Sequence, residues 1–438
     1  MSILVDDRSK GRKGTGVLSK LRRLGAWLAK ALSALLILTF AIPVVLLFFG
    51  TGVPLPLSSV LVAVDIGLVF TLLRLVETPM AFAGVILGFA VVSAAAVWSS
   101  QQFAMTAPII GEDGEVLPGS IAALEQVELN GSSQWISIRG KDVSKPVLLF
   151  LAGGPGGSQM TTARHALAEL EDHFVVVQWD QPGAGKSFSA LPQNELTPER
   201  YVQDGLALVE LLKSRFDVDK VYVLGESWGS VLGIWMAQRQ PESIHAFIGT
   251  GQMVAFEETD LFCYQFAMQL AQSRGDTGKV DQLRQQGPPP YYGRGVAMKQ
   301  INYLKDTYAY MNQDRRIWTN FNTIEDILSP EYGLIDKVNW ARGPLVTLGN
   351  VYPMLWDVDL RESATRLEVP VYFLIGRHDV NAPVHLAEDY FQKLQAPKKE
   401  LVWFEHSGHS PWTSESDRFV DVILEQVLAE TLDARANH

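Results

Sequence analysis

Val221-Tyr222-Val223-Leu224-Gly225-Glu226-Ser227-Trp228-Gly229-Ser230-Val231 is the stretch whose reading decides the fold of this chain. Four apolar residues of strand length run directly into Gly-Glu-Ser-Trp-Gly, and the helix-compatible run 231–238 follows at once. A buried strand that turns sharply into a helix lifts the serine hydroxyl clear of the sheet. Glycines on either side let main chains approach where a Cβ would clash. The pentapeptide alone is common; its place between strand and helix makes it a nucleophile elbow, with Ser227 at the tip.

Outward from this point, from about residue 110 onward, short β-rich runs alternate with amphipathic helical stretches. This is the pattern of an α/β domain with a mostly parallel sheet covered on both faces. The strongest buried strands are 147–151, 174–179, 221–224 and 371–375, all near-continuous apolar runs. Between 253 and 361 the alternation gives way to helical, aromatic-rich sequence containing Gly287-Pro288-Pro289-Pro290-Tyr291-Tyr292. The expected organisation is a catalytic core over 110–252 and 362–438, with 253–361 inserted as a helical cap.

A serine hydroxyl is a weak nucleophile until a base takes its proton, and the base needs a carboxylate to fix its tautomer. In this kind of fold the chain order is Ser, Asp, His. Of the eight histidines, His409 sits in Ser407-Gly408-His409-Ser410, a small-residue loop after the strand run 401–404, and it is favoured over His406. Asp379 follows the strand 371–375, at the carboxyl edge where such sheets put their chemistry, and is favoured over Asp357 and Asp359. Donors for a developing oxyanion are expected from the backbone N–H of Trp228 and from Gly154 in the glycine-rich loop 152–157. This chemistry calls for no cofactor and no metal.

The first hundred residues read differently. Apolar runs at 31–49, 57–73 and 80–98 are each roughly long enough to cross a hydrocarbon core of about 30 Å, and only Asp65 interrupts them. The expectation is an N-terminal region of three transmembrane helices over 31–100. Before it comes a basic segment, 1–30, with Arg8, Lys10, Arg12, Lys13, Lys20, Arg22, Arg23 and Lys30, so the amino terminus is expected in the cytoplasm. Arg74 and Glu77 would then return to the cytoplasmic side. Three crossings place the catalytic domain on the extracytoplasmic face of the cytoplasmic membrane, with the lipid bilayer as a partner. Asp65 is read as a helix-packing residue.

Residues 1–100 carry nine Lys or Arg and four Asp or Glu; the remainder carries 28 and 44, a net −16. Such an acidic domain repels a phosphate backbone, which argues against a nucleic-acid partner. The lone Cys263 excludes an intramolecular disulfide and reads as a core thiol. Nothing in the sequence sets the oligomeric state.

Four motifs together resemble the proline iminopeptidase family of α/β-hydrolases. They are Gly153-Gly154-Pro155-Gly156-Gly157, Asp180-Gln181-Pro182-Gly183-Ala184-Gly185-Lys186-Ser187, the segment 225–230, and Gly408-His409. The resemblance covers about 127–428. Ala152 stands where the family has a histidine, and Pro182 where it has an arginine. It implies an α/β-hydrolase fold and release of an amino-terminal residue, often proline, from short peptides, with the triad carried by Ser227, Asp379 and His409. It further implies acidic cap residues for the substrate ammonium, with Glu257 and Glu258 as candidates, and a ring pocket to which Phe262, Tyr264, Tyr291 and Tyr292 could contribute. Two other readings stay open: an esterase or amidase using the same triad on small acyl substrates, and a catalytically silent membrane receptor or scaffold.

Overall fold

The structure, a computed structural model, describes residues 14–74, 78–313 and 323–431. Arg8, Lys10, Arg12, Lys13 and Glu77, on which part of the orientation argument rests, lie outside the described residues. The chain divides into two compact units, Met1–Phe103 and Ala104–His438.

The first unit is helical: α1 (Gly14–Leu46), α2 (Leu55–Arg74) and α3 (Pro79–Gln102). Thr78 caps α3 by accepting the Ala81 N–H at 3.2 Å, and Pro79 occupies the first helical position. Among the described residues, α2 and α3 are the helices long and apolar enough to cross a membrane. Two of the three expected spans are thus matched by helices of this kind. The apolar part of α1 is Ala31–Leu46, and the chain turns at 47–50, so the last residues of the first apolar run fall outside the helix. Asp65 of α2 is buried within this unit.

The second unit is built on one eight-stranded sheet. Its strands are β1 (Ile121–Leu129), β2 (Ser132–Gly140), β3 (Val147–Leu151), β4 (Val175–Asp180), β5 (Val221–Glu226), β6 (Ile244–Thr250), β7 (Val371–Gly376) and β8 (Lys399–Phe404). Their order is β1-β2-β4-β3-β5-β6-β7-β8. β1 and β2 pair antiparallel, β2 joins β4 antiparallel, and the neighbours from β4 through β8 are parallel. The central strands β3, β4, β5 and β7 are buried along their whole length, as their unbroken apolar runs require when both faces are covered.

The helices of this unit are α4 (Met160–Ala166), α5 (Pro198–Phe216), α6 (Trp228–Arg239), α7 (Phe256–Ser273), α8 (Thr277–Gln286), α9 (Val296–Met311), α10 (Thr323–Ile327), α11 (Leu334–Val351), α12 (Leu360–Ser363), α13 (Val384–Lys393), α14 (Pro411–Ser414) and α15 (Ser416–Val422). Thr197 caps α5 through the Arg200 N–H, with Pro198 at the first helical position. One core layer packs α5, α6 and α13 side chains such as Leu208, Val231 and Tyr390 on one face of the sheet. The other layer, with Leu148, Phe150, Tyr372, Trp412 and Phe419, covers the opposite face.

Helices α7 to α12 are inserted between β6 and β7. α11 is tied to the sheet by a buried ion pair: Lys186 Nζ, in the turn after β4, lies 2.8 Å from Asp336 Oδ2 and 4.2 Å from the centre of the Trp135 ring. Thr347 Oγ1 of α11 also donates to the Gly183 carbonyl at 2.8 Å. Removing one partner of such a pair leaves the other charge buried alone. Lys186→Met is expected to destabilise the fold by about 3 kcal/mol, measured as a fall in the urea midpoint without a change in slope.

Candidate active site

The elbow is strained as its sequence demands. Ser227 has φ +52° and ψ −118°, between β5 and α6. A Cβ on Gly225 would run into the carbonyl oxygen of Gly229, and one on Gly229 into that of Leu151, so neither flank tolerates a side chain. Trp228 opens α6, where the first N–H groups have no intrahelical acceptor and remain directed beyond the helix end.

Asp379 and His409 reach the same place from the loops after β7 and β8. His409 Nδ1 lies 2.8 Å from Asp379 Oδ2, and both groups are almost completely buried. The other carboxylate oxygen of Asp379 accepts the backbone N–H groups of Asn381 at 2.8 Å and Ala382 at 2.9 Å, which fixes the carboxylate's rotation. His409 Nε2 lies 3.3 Å from Asn381 Nδ2, and the Tyr308 ring stands edge-on to the imidazole at 6.0 Å. Burial works against the imidazolium. The charge and hydrogen bond of Asp379, with Glu226 adding to them, outweigh burial and hold the His409 pKa above its ordinary value.

Ser227 and His409 both line a cavity of about 460 Å³, together with Gly154 and Trp228. Gly154 has φ +149°, and a Cβ there would sit 2.7 Å from the Gly156 nitrogen. The loop carrying it is braced from below. Gln181 donates to the Ala152 carbonyl at 3.1 Å and accepts the Trp228 indole N–H at 2.9 Å, joining the glycine loop to the residue after Ser227. Gln159 accepts the Gly153 N–H at 2.9 Å and donates to Glu226.

Asp357 is exposed and Asp359 pairs with Arg361, both away from this cavity. His406 is exposed, with its backbone N–H donated to Glu415.

The structure does not bring Glu257 and Glu258 to the cavity. Both are on the exposed side of α7, and Glu258 pairs with Arg361. The acids that line it are Glu226 and Asp260, both buried. Glu226 accepts from Ser410 at 2.5 Å and from Trp412 at 3.2 Å. Asp260 accepts from Tyr303, Tyr352 and, at 3.1 Å, Gln300; burial pushes its pKa up to about 6 against those three hydrogen bonds. A helical reading of α7 contained the signal, because Phe256, Thr259, Asp260, Cys263 and Tyr264 form its buried stripe while Glu257 and Glu258 fall off it.

Nor are Phe262, Tyr264, Tyr291 and Tyr292 among the lining residues. Tyr264 and Tyr291 hydroxyls donate to the carbonyls of Leu283 and Gly287, and Tyr292 is exposed. The apolar walls come instead from Met253, Phe256, Leu304, Tyr308, Trp340 and Leu348. Among the described residues, no group of three or more His, Cys, Asp or Glu is arranged to hold a metal ion.

Residues 146–285 match the α/β hydrolase fold family. The chain is 34% identical over 286 residues to the "Probable proline iminopeptidase" of Leptolyngbya boryana, covering 62% of this chain and 83% of that protein. It is 28% identical over 311 residues to the "Probable aminopeptidase YbaC" of Bacillus subtilis, covering 69% of this chain and 96% of that one. Among solved structures, the proline iminopeptidase of Mycobacterium smegmatis superposes with a TM-score of 0.52 at 18% identity, covering 71% of this chain and 100% of that one. That likeness carries the fold, and the curated relatives carry the lineage. This chain belongs to the proline iminopeptidase-like family of α/β-hydrolases.

Proposed function

We propose that this protein is a membrane-anchored serine aminopeptidase that releases amino-terminal residues, proline foremost, from short peptides. The observation that supports it best is the buried contact of His409 Nδ1 with Asp379, in a cavity shared with Ser227 and with the two buried acids Glu226 and Asp260. Ser227 Oγ attacks the scissile carbonyl while His409 Nε2 takes its proton and passes it to the leaving amine. Water then enters by the same base and releases the acyl group. The N–H groups of Gly154 and Trp228 receive the oxyanion in both halves.

Asp260 supplies the negative charge for the substrate ammonium, and Phe256, Leu304 and Leu348 the apolar wall for a proline ring. Residues 253–361 act as a cap that closes this cavity, set on a core of 110–252 and 362–438.

Anchoring rests on α2 and α3. If Ala31–Leu46 crosses as well, the catalytic unit is extracytoplasmic; with two crossings it shares the side of the amino terminus. A reporter fused after His438 reads which.

The test compares proline arylamide, its amine-blocked analogue and an aryl ester without an amine. Strong preference for the free amine is expected. Equal turnover of blocked and free arylamides would replace the aminopeptidase reading with the esterase or amidase one, and no turnover of any of them would favour a silent receptor.

Asp260→Asn should raise KM for the free-amine arylamide by about 10- to 100-fold, the worth of a hydrogen bond to a charged group, and leave the aryl ester unaffected. In wild type the same KM should climb as pH falls through about 6, where Asp260 gains its proton and loses its charge.

A further inference from the structure

α11 is amphipathic in the reverse sense to an ordinary surface helix. Its buried positions include Asp336, Asn339, Gly343 and Thr347. These polar groups are matched by the rest of the unit: Asp336 by Lys186, and Thr347 by the Gly183 carbonyl. Its exposed stripe holds Ile335, Val338, Leu345 and Val346, spaced to share one face at 3.6 residues per turn. Ile324 and Leu328, just before it in the chain, are exposed as well. Contiguous exposed apolar surface of this kind marks a surface that is covered in use.

The chain itself names what covers it. Among the described residues of this unit, every exposed large apolar side chain lies either in the helical insertion or between Met105 and Val143, in the stretch that follows α3. The two regions are joined: the Met105 N–H donates to the Pro330 carbonyl at 3.1 Å, in the connection between α10 and α11. Arg139 holds the same stretch through the hydroxyl of Thr106 at 2.8 Å. α3 ends at Gln102, so three Cα steps, roughly 11 Å at full extension, separate the end of a helix long and apolar enough to span a membrane from the hydrogen bond beside α11.

We propose that the exposed face of α11, with Ile324 and Leu328, is a lipid-binding surface that lies in the interfacial region of the bilayer holding α2 and α3. The proposal rests on the membrane anchoring put forward above. Since Trp340, Pro344 and Leu348 of the same helix line the cavity, this contact would set the cavity's wall against the membrane surface. A lipid surface fits better than a protein partner because it needs no complementary shape, only apolar depth at a fixed distance from the anchor.

The test uses the full chain in phosphatidylcholine vesicles, with an environment-sensitive fluorophore on Val338→Cys, on Leu345→Cys, or on the control Glu242→Cys; Cys263 is fully buried and stays unlabelled. Glu242 is exposed and precedes β6 at the amino-terminal edge of the sheet. Doxyl groups on the lipid chains should quench the Val338 and Leu345 labels at least about twofold more than the Glu242 label, as expected of a helix buried about 5 to 10 Å into the interface. Equal quenching at all three sites, in protein that stays with the vesicles through an alkaline wash, overturns the proposal. Protein that washes off instead overturns the anchoring. Retained arylamide hydrolysis by each labelled variant shows that the fold survives.

Discussion

Ser227→Ala is expected to lower kcat on proline arylamide by roughly a millionfold, to the level left by binding and oxyanion stabilisation alone. The reason is positional as much as chemical. Ser227 occupies a left-handed backbone conformation, φ +52°, at the end of a fully buried strand, with Gly225 and Gly229 packed too closely for any side chain. Among the described residues that line the cavity with His409, Ser227 is the one hydroxyl-bearing residue at a positive φ. The alanine variant fills less space and keeps the backbone, so stability and substrate affinity should be preserved while turnover is lost. Stopped-flow acylation together with a binding titration measures both. Residual activity within tenfold of wild type would remove Ser227 from the reaction.

Asp379→Asn is expected to lower kcat by about 10⁴-fold. Oδ1 of Asp379 accepts two backbone N–H groups, from Asn381 and Ala382, and Oδ2 meets His409 Nδ1. In asparagine the carbonyl oxygen is kept at the two N–H groups, which forces the amide NH₂ onto His409 Nδ1. That nitrogen must then accept, the imidazole proton moves to Nε2, and the ring can no longer take a proton from serine. The same substitution removes the main influence that holds the His409 pKa above its ordinary value. The base works neutral, so activity in wild type falls as pH drops through that raised pKa. In Asp379→Asn the residual activity should keep its plateau to lower pH. A pH profile with an unmoved acid limb would mean that Asp379 does not govern the histidine.

How much of this was readable beforehand depended on the range of the interaction. The strands 147–151, 221–224 and 371–375 were legible because a strand covered on both faces needs an unbroken apolar run, and such runs are local. The elbow was legible for the same reason, since a strand, a tight turn and a helix lie within eleven residues. The end of the first apolar run was not, because the chain turns at 47–50 although the apolar composition continues past it. The acidic candidates of the cap lie two and three residues along α7 from Asp260, which lines the cavity. Glu257 and Glu258 looked right by residue type, but helical periodicity puts Asp260, not them, on the buried face.

Sequence alone therefore determined the class of sheet, the serine at its elbow and the two loops that supply Asp379 and His409, because each follows from contacts within a few residues of chain. Only the tertiary structure decided which acids share the cavity, that Gln181 and Gln159 brace the glycine loop, and that α11 turns its apolar face outward. Those outcomes depend on groups tens or hundreds of residues apart, such as Lys186 with Asp336 and Glu226 with Trp412, whose meeting no local pattern encodes. The pentapeptide around Ser227 marked where the cavity lies; packing of the insertion against the sheet edge set what lines it.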